Sequence, residues 1–272
     1  MRRKPGFSSV LTAPFALLWS RRRMLWAATR TDVAQKVAGS TLGFAWYLLY
    51  PLMLLAAYAA VYIYIFKVRL GLFNSNEYVL LIFCGLIPFL SFAESLALGT
   101  VSVTANTRLV KNTLFPIDLI PVKSVLSTQV GQLGSLSLLL IALACVGRLT
   151  PFALIAVLVW VCQVMFTLGI VWLLSAVNVF LRDVQMGLGV VILLLMMVSP
   201  IAYTEEMVSG PMRILLKFNP LYYVIVCYQE CLMFGRSPRP DQLLPLIAIA
   251  GVAFCGGYAA FRRLKPVFSD HV

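Results

Sequence analysis

The chain has 272 residues, of which 61% are hydrophobic and 12% charged, and its formal net charge is +12. A soluble domain is roughly 45–50% apolar, so this composition excludes an ordinary soluble protein and indicates an integral membrane protein. The basic residues cluster at the ends of apolar segments without an aromatic-basic module, so we expect topology-setting charges and contacts with membrane lipids, and no nucleic-acid partner. The six cysteines lack paired C-x-x-C spacing and the single histidine is His271, so we expect no metal site and no histidine catalysis.

Residues 1–42 carry eight basic side chains and one acid, Asp32, which predicts that this end of the chain is cytoplasmic. Arg23 and Arg30 are close enough to one helix face to reach lipid headgroups, and that face carries Trp19, Trp26, Val33 and Val37. We therefore expect an interfacial amphipathic helix on the inner leaflet. The alternative is a merely solvated basic segment.

The later apolar runs predict an all-α integral membrane protein with six transmembrane helices. The first run, residues 43–66, reaches ~36 Å at 1.5 Å per residue and exceeds a hydrocarbon core of ~30 Å. The other five are about 78–103, 121–146, 152–180, the stretch that ends at 203, and 243–261. The chain thus divides into a basic region at 1–42, five helices at 43–203 with a cytoplasmic loop at 104–120, a mixed region at 204–242, and the sixth helix with its cytoplasmic end at 243–272.

The first span has one wide aromatic face. At 100° per residue, an arc of about 160° holds Trp46, Tyr47, Tyr50, Tyr58, Tyr62 and Tyr64. Such a pattern is typical either of a ligand path or of the aromatic belts at the two ends of a span. Tyr58, at mid-depth, fits a ligand path best.

The second span contains Glu94, which is the only acidic residue well inside a predicted span. Intramembrane carboxylates are costly and are functional candidates by default. Two interpretations stay open: a structural partner between helices or near an aqueous path, and a residue that acts on substrate or on gating.

The stretch 104–121 is a polar, basic interruption between two apolar runs, so it cannot lie in lipid. Arg108, Lys111 and Lys123 place it on the cytoplasmic side. A second inner turn, at 178–184, carries Arg182 and Asp183, which could pair with each other or meet a partner.

The region 204–242 is neither a clean span nor a clean loop. Its apolar pieces, 212–218 and 221–234, are ~7 and ~14 residues long, below the ~18 that a crossing helix needs. We therefore expect short re-entrant helices before the last span, buried against protein. The alternative is one poor span followed by a seventh, which would place the C-terminus outside. The basic residues Arg262, Arg263 and Lys265 after the last span favour a cytoplasmic C-terminus.

Two kinds of chemistry are missing from the sequence. No G-x-x-x-x-G-K-[ST] run occurs, and no Ser, His and Asp constellation can be built, so we expect neither nucleotide binding by a P-loop nor an enzyme. The scarcity of membrane acids disfavours an ion-coupled carrier. A passive conduit driven by another chain remains.

Five motifs carry a family resemblance that covers nearly the whole chain. They are SxLGxxWxLLYP at 40–51, NTRLVKNTLFP at 106–116, NVFLRDV at 178–184, SPIAY at 199–203 and NPLYYVI at 219–225. In this order and spacing the chain resembles the membrane subunit of ABC-2 type polysaccharide exporters, which include O-antigen, teichoic-acid and group 2 capsule permeases. The intact NxxLxKxxxFP pattern favours the O-antigen-like branch, with capsule close behind.

The resemblance implies a homodimer of six-span subunits joined to two ATP-binding-cassette subunits in the bacterial inner membrane. Such a complex exports a lipid-linked glycan, with ATP and Mg bound by the partner subunits and no cofactor in this chain. Coupling to the ATPase would involve Asn106, Arg108, Leu109, Lys111, Asn112, Phe115, Pro116, Arg182 and Asp183. The substrate path would involve Trp46, Tyr50, Tyr58, Tyr62 and Glu94. A periplasmic gate would involve Tyr203, Asn219, Pro220, Tyr222, Tyr223 and Tyr228.

Two other classes of function stay open at the level of sequence. A drug or small-lipid exporter of the same superfamily would share the cytoplasmic loop. A non-transport membrane scaffold would share only the apolar spans.

Overall fold

The computed structural model describes residues 7–61, 75–107, 115–204, 208 and 210–270. Within these ranges the chain is helical and has no β-strand, which confirms the all-α prediction. A π-helical turn, Gln229–Met233, and a 3₁₀-helix, Lys265–Asp270, continue two of the helices. The α-helices are α1 (Phe7–Ser20), α2 (Arg22–Val37), α3 (Trp46–Ala60), α4 (Ser75–Thr100), α5 (Ser102–Ala105), α6 (Leu119–Cys145), α7 (Ile155–Phe180), α8 (Asp183–Val198), α9 (Gly210–Phe218), α10 (Pro220–Tyr228) and α11 (Pro240–Leu264).

Four helical segments are long and apolar enough to cross a membrane: Glu77–Thr100, Leu119–Cys145, Pro151–Phe180 and Pro240–Phe268. Two shorter apolar segments, Gly43–Tyr58 and Asp183–Val198, lie where the first and fifth spans were predicted. Sixteen residues reach only ~24 Å at 1.5 Å per residue. Length therefore establishes four spanning candidates, and the count of six stays a prediction. The predicted first span also runs past residue 61, outside the described residues.

The helix α2 packs along α6 through a buried stripe formed by Leu25, Thr29 and Val33. The spacing of four residues places this stripe on one face of the helix. On the face predicted from the sequence, Val33 is buried against protein, whereas Trp26 is 73% exposed. A merely solvated segment would not be packed in this way. The placement of α2 on the inner leaflet stays a prediction.

The region after α8 contains two short helices joined at Asn219, the hairpin. The helices α9 and α10 have nine residues each, and no helix of spanning length occurs in the described residues between α8 and α11. Asn219 begins α10 as its cap: its Oδ1 accepts from the Leu221 amide at 3.0 Å. The residues from Leu221 to Met233 are almost all buried against the bundle. The burial predicted for these helices is found for α10 and the π-helical turn, whereas Ile214 and Phe218 of α9 are 64% and 80% exposed. The short lengths match the prediction, while the re-entrant position in a membrane stays a prediction.

The helices α7 and α11 make a close backbone contact through Gly169 and Gly257. A Cβ atom on Gly257 would lie 2.0 Å from the Gly169 carbonyl oxygen, and one on Gly169 would lie 2.1 Å from the Ala253 oxygen. Glycine lets two helix backbones approach where any side chain would separate them. The contact fixes α7 and α11 as one unit.

Gly257→Ala should destabilise the protein, because the added methyl group collides with backbone and the two helices must move apart. Overpacking of this kind costs ~1–3 kcal/mol. The adjacent Gly256→Ala is a matched control, since a Cβ there meets no atom within 4 Å. Thermal unfolding in detergent should show a lower midpoint for Gly257→Ala only. Equal midpoints for the two variants would contradict the close contact.

The helices α3 and α8 lie at the edge of the bundle and keep broad apolar faces exposed. On α3 the exposed large residues include Trp46, Leu48, Tyr50 and Met53. On α8 they include Met186, Val190, Leu193, Leu194 and Met197. The buried helices α4, α6 and α7 form the centre of the bundle, and the two exposed helices flank the site described next.

Candidate functional site

A cavity of about 660 Å³ lies among α2, α3, α4, α6 and α8. Its walls include Trp46, Tyr50 and Glu94, so the fold brings together three of the five residues predicted for the substrate path. Besides Lys36, apolar and uncharged polar residues complete it: Val37, Tyr47, Pro51, Ile87, Leu90, Ser91, Ala93, Ala97, Thr128, Gly131, Gln132, Ser135 and Ile192. The cavity size is that of a small-molecule or polymer-segment site.

A charged pair on the cavity wall joins α2 to α4. Lys36 Nζ lies 3.2 Å from Glu94 Oε1, with side-chain exposures of 25% and 49%. Glu94 is six residues before the end of α4, toward the loop at 104–120. Both interpretations of Glu94 are therefore compatible with its position, because it has a structural partner and also lines the cavity.

A second ion pair fastens α2 to α6 below the cavity. Lys123 Nζ donates to Asp32 Oδ1 at 2.9 Å, and their side chains are only 10% and 20% exposed. Lys123 is buried, unlike the loop charge that the sequence suggested. With the pair formed by Lys36, it holds α2 at two points one turn apart.

The aromatic residues of α3 divide between two environments. Trp46 and Tyr50 are 45% and 58% exposed and face the cavity. The Tyr47 hydroxyl, also in the cavity wall, is buried and makes no hydrogen bond within the described residues. Tyr58 does not line the cavity and packs against the hydrophobic core instead. Tyr62 lies outside the described residues.

A buried polar network connects the cavity to the hairpin. Gln132 Nε2 donates to Gln163 Oε1 at 2.8 Å, and the Tyr228 hydroxyl donates to the same oxygen at 3.2 Å. Gln163 also donates to the Pro88 carbonyl at 3.0 Å. These contacts satisfy polar groups that would be costly to leave unpaired in an apolar interior. Tyr228 is fully buried in this network, apart from the other tyrosines predicted for the gate.

The ends of the loop at 104–120, which is predicted to be cytoplasmic, are held against α7. Asn178 Nδ2 donates to Thr104 Oγ1 at 3.4 Å, and Trp172 Nε1 donates to the Asp118 carbonyl at 3.0 Å. Asn106 donates to the Ser102 carbonyl at 2.8 Å and closes α5. Of the other residues predicted for coupling, Phe115 and Pro116 are half-buried, whereas Arg108, Leu109, Lys111 and Asn112 lie outside the described residues.

The turn between α7 and α8 lies at the same end of the bundle, because Asn178 contacts the loop only four residues earlier. Arg182 and Asp183 are both exposed there, and no ion pair joins these two described side chains. The turn and the loop are thus neighbouring polar segments, and the turn exposes the charges of both Arg182 and Asp183.

The tyrosines of the hairpin form a compact cluster. The rings of Tyr222 and Tyr223 are 5.1 Å apart in an edge-to-face arrangement, and Tyr203 packs on the same side with Leu216 and Val226. Tyr222 is 1% exposed, so its side chain is an interior contact of the hairpin. Asn219 Nδ2 donates to Ser199 Oγ at 3.0 Å and ties the hairpin to the end of α8.

The opposite end of the bundle has two ion pairs that the sequence did not suggest. Arg148 Nη2 lies 2.7 Å from Glu77 Oε1, and Arg236 Nη2 donates to Glu230 Oε1 at 3.0 Å. Glu230 is 4% exposed and belongs to the π-helical turn. A buried carboxylate of this kind requires its cation, because an unpaired buried charge is strongly destabilising.

A family model described as ABC-2 type transporter matches residues 23–233. The chain belongs to the ABC-2 type transporter family. The matched range runs from the start of α2 to the end of the π-helical turn, so it covers the cavity, the loop at 104–120 and the hairpin.

Relatives of this ABC-2 chain are similar over almost its full length. An O-antigen export system permease protein RfbA of Klebsiella pneumoniae is 27% identical over 250 residues, which are 91% of this chain and 94% of the relative. A second Klebsiella pneumoniae protein of the same name is 26% identical over the same shares. A Myxococcus xanthus protein, also so named, is 24% identical over 258 residues, 94% of this chain and 97% of the relative.

Lys36 is a cavity residue of this ABC-2 chain that no sequence motif singles out. In the sequence it is one of eight basic residues in 1–42, and no local pattern pairs it with Glu94. The sequence does contain one indication of such a partner, which is Glu94 itself, because a carboxylate within a span usually pairs with a cation from a neighbouring helix. The two residues are 58 positions apart, so their pairing depends on how α2 folds back along α6.

Proposed function

We propose that this chain is the membrane-spanning permease subunit of an ATP-driven exporter of a lipid-linked polysaccharide, of the O-antigen type. It acts as a homodimer with two ATP-binding-cassette subunits in the bacterial inner membrane, with both termini cytoplasmic. The observation that carries the proposal is the aromatic cavity beside α3 and α8, within a chain similar over nine-tenths of its length to O-antigen export permeases.

The cavity chemistry suits a sliding sugar polymer. Trp46 and Tyr50 offer flat apolar faces on which sugar C–H groups can stack, and both are partly exposed. The cavity has one ion pair and few other charges, so it lacks the fixed polar groups that would bind one sugar tightly. Many weak contacts allow a polymer to move, whereas one tight site would stop it.

The homodimer would complete the path. The exposed apolar faces of α3 and α8 flank the cavity, and large exposed apolar patches are typical of protein or membrane contacts. A second copy facing the first across α3 and α8 would enclose the two cavities between the subunits. Energy would come from the partner subunits, which bind ATP and Mg, through the loop at 104–120 and the turn at Arg182 and Asp183.

The hairpin would close the periplasmic end of this path. Its tyrosine cluster, with Tyr203, Tyr222 and Tyr223, packs on Leu216 and Val226, and the hairpin is tied to α8 through Asn219. Tyr228 would link the hairpin to the cavity through Gln132 and Gln163.

Tyr222→Ala with Tyr223→Ala should make the membrane leak small solutes, because two packed rings of the seal are lost. Entry of a small impermeant dye into cells that express the variant measures the leak. Phe218→Ala is a control on the same hairpin, since Phe218 is 80% exposed and outside the cluster. A tight double variant would contradict the role of the hairpin as a seal.

The proposed function is tested by purifying the tagged chain from its host and by export in a strain that lacks it. We expect an ATP-binding-cassette subunit to co-purify, and surface glycan to appear only when both proteins are present. A scaffold would bring down no ATPase. A drug or small-lipid exporter would bring down an ATPase, yet its loss would leave surface glycan unchanged.

A further inference from the structure

The 3₁₀-helix Lys265–Asp270, which follows α11, folds back against the beginning of α6. Lys265 Nζ forms an ion pair with Asp118 Oδ2, although the two residues are 147 positions apart. The Asp118 side chain is 7% exposed and that of Lys265 is 35% exposed. Asp118 directly precedes α6 and belongs to the last part of the loop at 104–120. The pair therefore ties the end of this loop to the end of α11.

Aromatic packing holds the same segment in place. Phe268 is fully buried, and its ring centroid lies 5.3 Å from that of Phe261 in α11 and 6.0 Å from that of Phe180. Phe180 is the last residue of α7, two positions before Arg182. The segment thus lies between the ends of α7 and α11, beside the turn proposed to contact the ATPase.

Asp118 is also held from its other side. Its carbonyl oxygen accepts from Trp172 Nε1 at 3.0 Å, and Trp172 is fully buried in α7. The Trp172 ring lies 5.1 Å from Tyr258 and 5.4 Å from Phe254, which are both in α11. The side chain of Asp118 therefore binds the segment after α11, and its backbone binds the packed pair of α7 and α11.

We propose that Lys265 is a positioning residue that locks the end of the cytoplasmic loop to α7 and α11. Displacement of the loop then moves both helices as one body. Their backbones are in direct contact at Gly169 and Gly257, and a close-packed interior transmits displacement. Without the lock, the loop end bends locally and the displacement is lost. This inference rests on the proposed function, in which the loop receives its displacement from the ATPase.

The physical basis is the burial of Asp118. Surface ion pairs contribute little, but the removal of one partner from a buried pair leaves an uncompensated charge. Lys265→Met should therefore release the loop end, and Lys265→Arg should retain it. Exchange of the two charges, by Asp118→Lys with Lys265→Asp, should restore the lock. Arg263→Met is the matched control, since Arg263 is an exposed cation two positions earlier on the last turn of α11.

The test has one readout on this chain alone and one on the complex. First, Ile117→Cys is introduced beside Asp118, and its reaction with an impermeant maleimide is timed in inside-out vesicles, against the background of the native cysteines. Second, glycan export and ATPase co-purification are measured for each variant. We expect Lys265→Met to raise labelling and to lower export by about fivefold or more, the range of typical coupling energies, with co-purification unchanged.

We expect labelling and export in the exchanged variant and in Lys265→Arg to match those of the unmutated chain. Arg263→Met should change neither labelling nor export. Unchanged labelling in Lys265→Met, or an exchanged variant no better than Lys265→Met, overturns the proposal. Increased labelling with full export shows a lock that plays no part in coupling, which also overturns it. An unmutated chain that binds no ATPase refutes the proposed function itself and with it the coupling role, so the two failures are distinguishable.

Discussion

Reversal of both loop charges, by Arg108→Glu with Lys111→Glu, should abolish glycan export while the protein still inserts into the membrane. The two residues stand in the polar loop whose ends are fixed to α7 by Asn178 and Trp172. A polar segment held at both ends is suited to receive a push from a cytoplasmic subunit. Two reversed charges replace attraction by repulsion at such a contact, and like-charge juxtaposition at an interface costs several kcal/mol.

Surface glycan, membrane insertion and ATPase co-purification should be measured together in the loop variant. Arg262→Glu with Arg263→Glu is the matched control, because it reverses two exposed charges at the same end of the bundle. We expect loss of export and of co-purification in the loop variant only. Unchanged export in the loop variant would refute the assignment of the loop to ATPase coupling.

Removal of two cavity aromatics, by Trp46→Ala with Tyr50→Ala, should lower export about tenfold or more. An aromatic contact of this kind contributes ~0.5–1.5 kcal/mol beyond its buried area, and ~1.4 kcal/mol is a factor of ten in rate. The loss should appear in the transport rate and not in protein level, because both side chains are already partly exposed and support little of the fold.

The matched control for the cavity is Met53→Ala. Met53 is on the same helix and 60% exposed, but it does not line the cavity. Export by each variant should be normalised to its amount in the membrane and to ATPase co-purification. Equal export by Met53→Ala and the double aromatic variant would contradict a substrate path along the cavity.

The helical architecture was largely predictable from the sequence, because apolar runs, prolines and polar interruptions act locally. The two pieces of the hairpin were predicted at 212–218 and 221–234, and the structure has helices at Gly210–Phe218 and Pro220–Tyr228 with a π-helical turn to Met233. Pro220 and the Asn219 cap explain why the boundary falls where the sequence placed it.

The contacts that define the site were less predictable, because they join residues far apart in the chain. The aromatic periodicity of α3 correctly grouped Trp46 and Tyr50, while Tyr58 packs on the core. The pairs Lys36 with Glu94 and Lys265 with Asp118 span 58 and 147 positions, and no local pattern specifies such partners. Tyr228 is close to Tyr222 and Tyr223 in sequence, but at 100° per residue the five positions after Tyr223 rotate it by about 140° around α10, onto the network of Gln132 and Gln163.

The central claim is tested most directly by ATP-dependent transport in reconstituted vesicles. The purified complex of this chain with its ATPase is placed in liposomes that carry a lipid-linked glycan in the outer leaflet, with the nucleotide-binding side outward. Added ATP should progressively protect the glycan from an impermeant glycosidase, whereas liposomes reconstituted with the ATPase and the Arg108→Glu, Lys111→Glu chain should give no protection. Glycan that remains fully accessible after ATP hydrolysis by the unmutated complex would contradict the account.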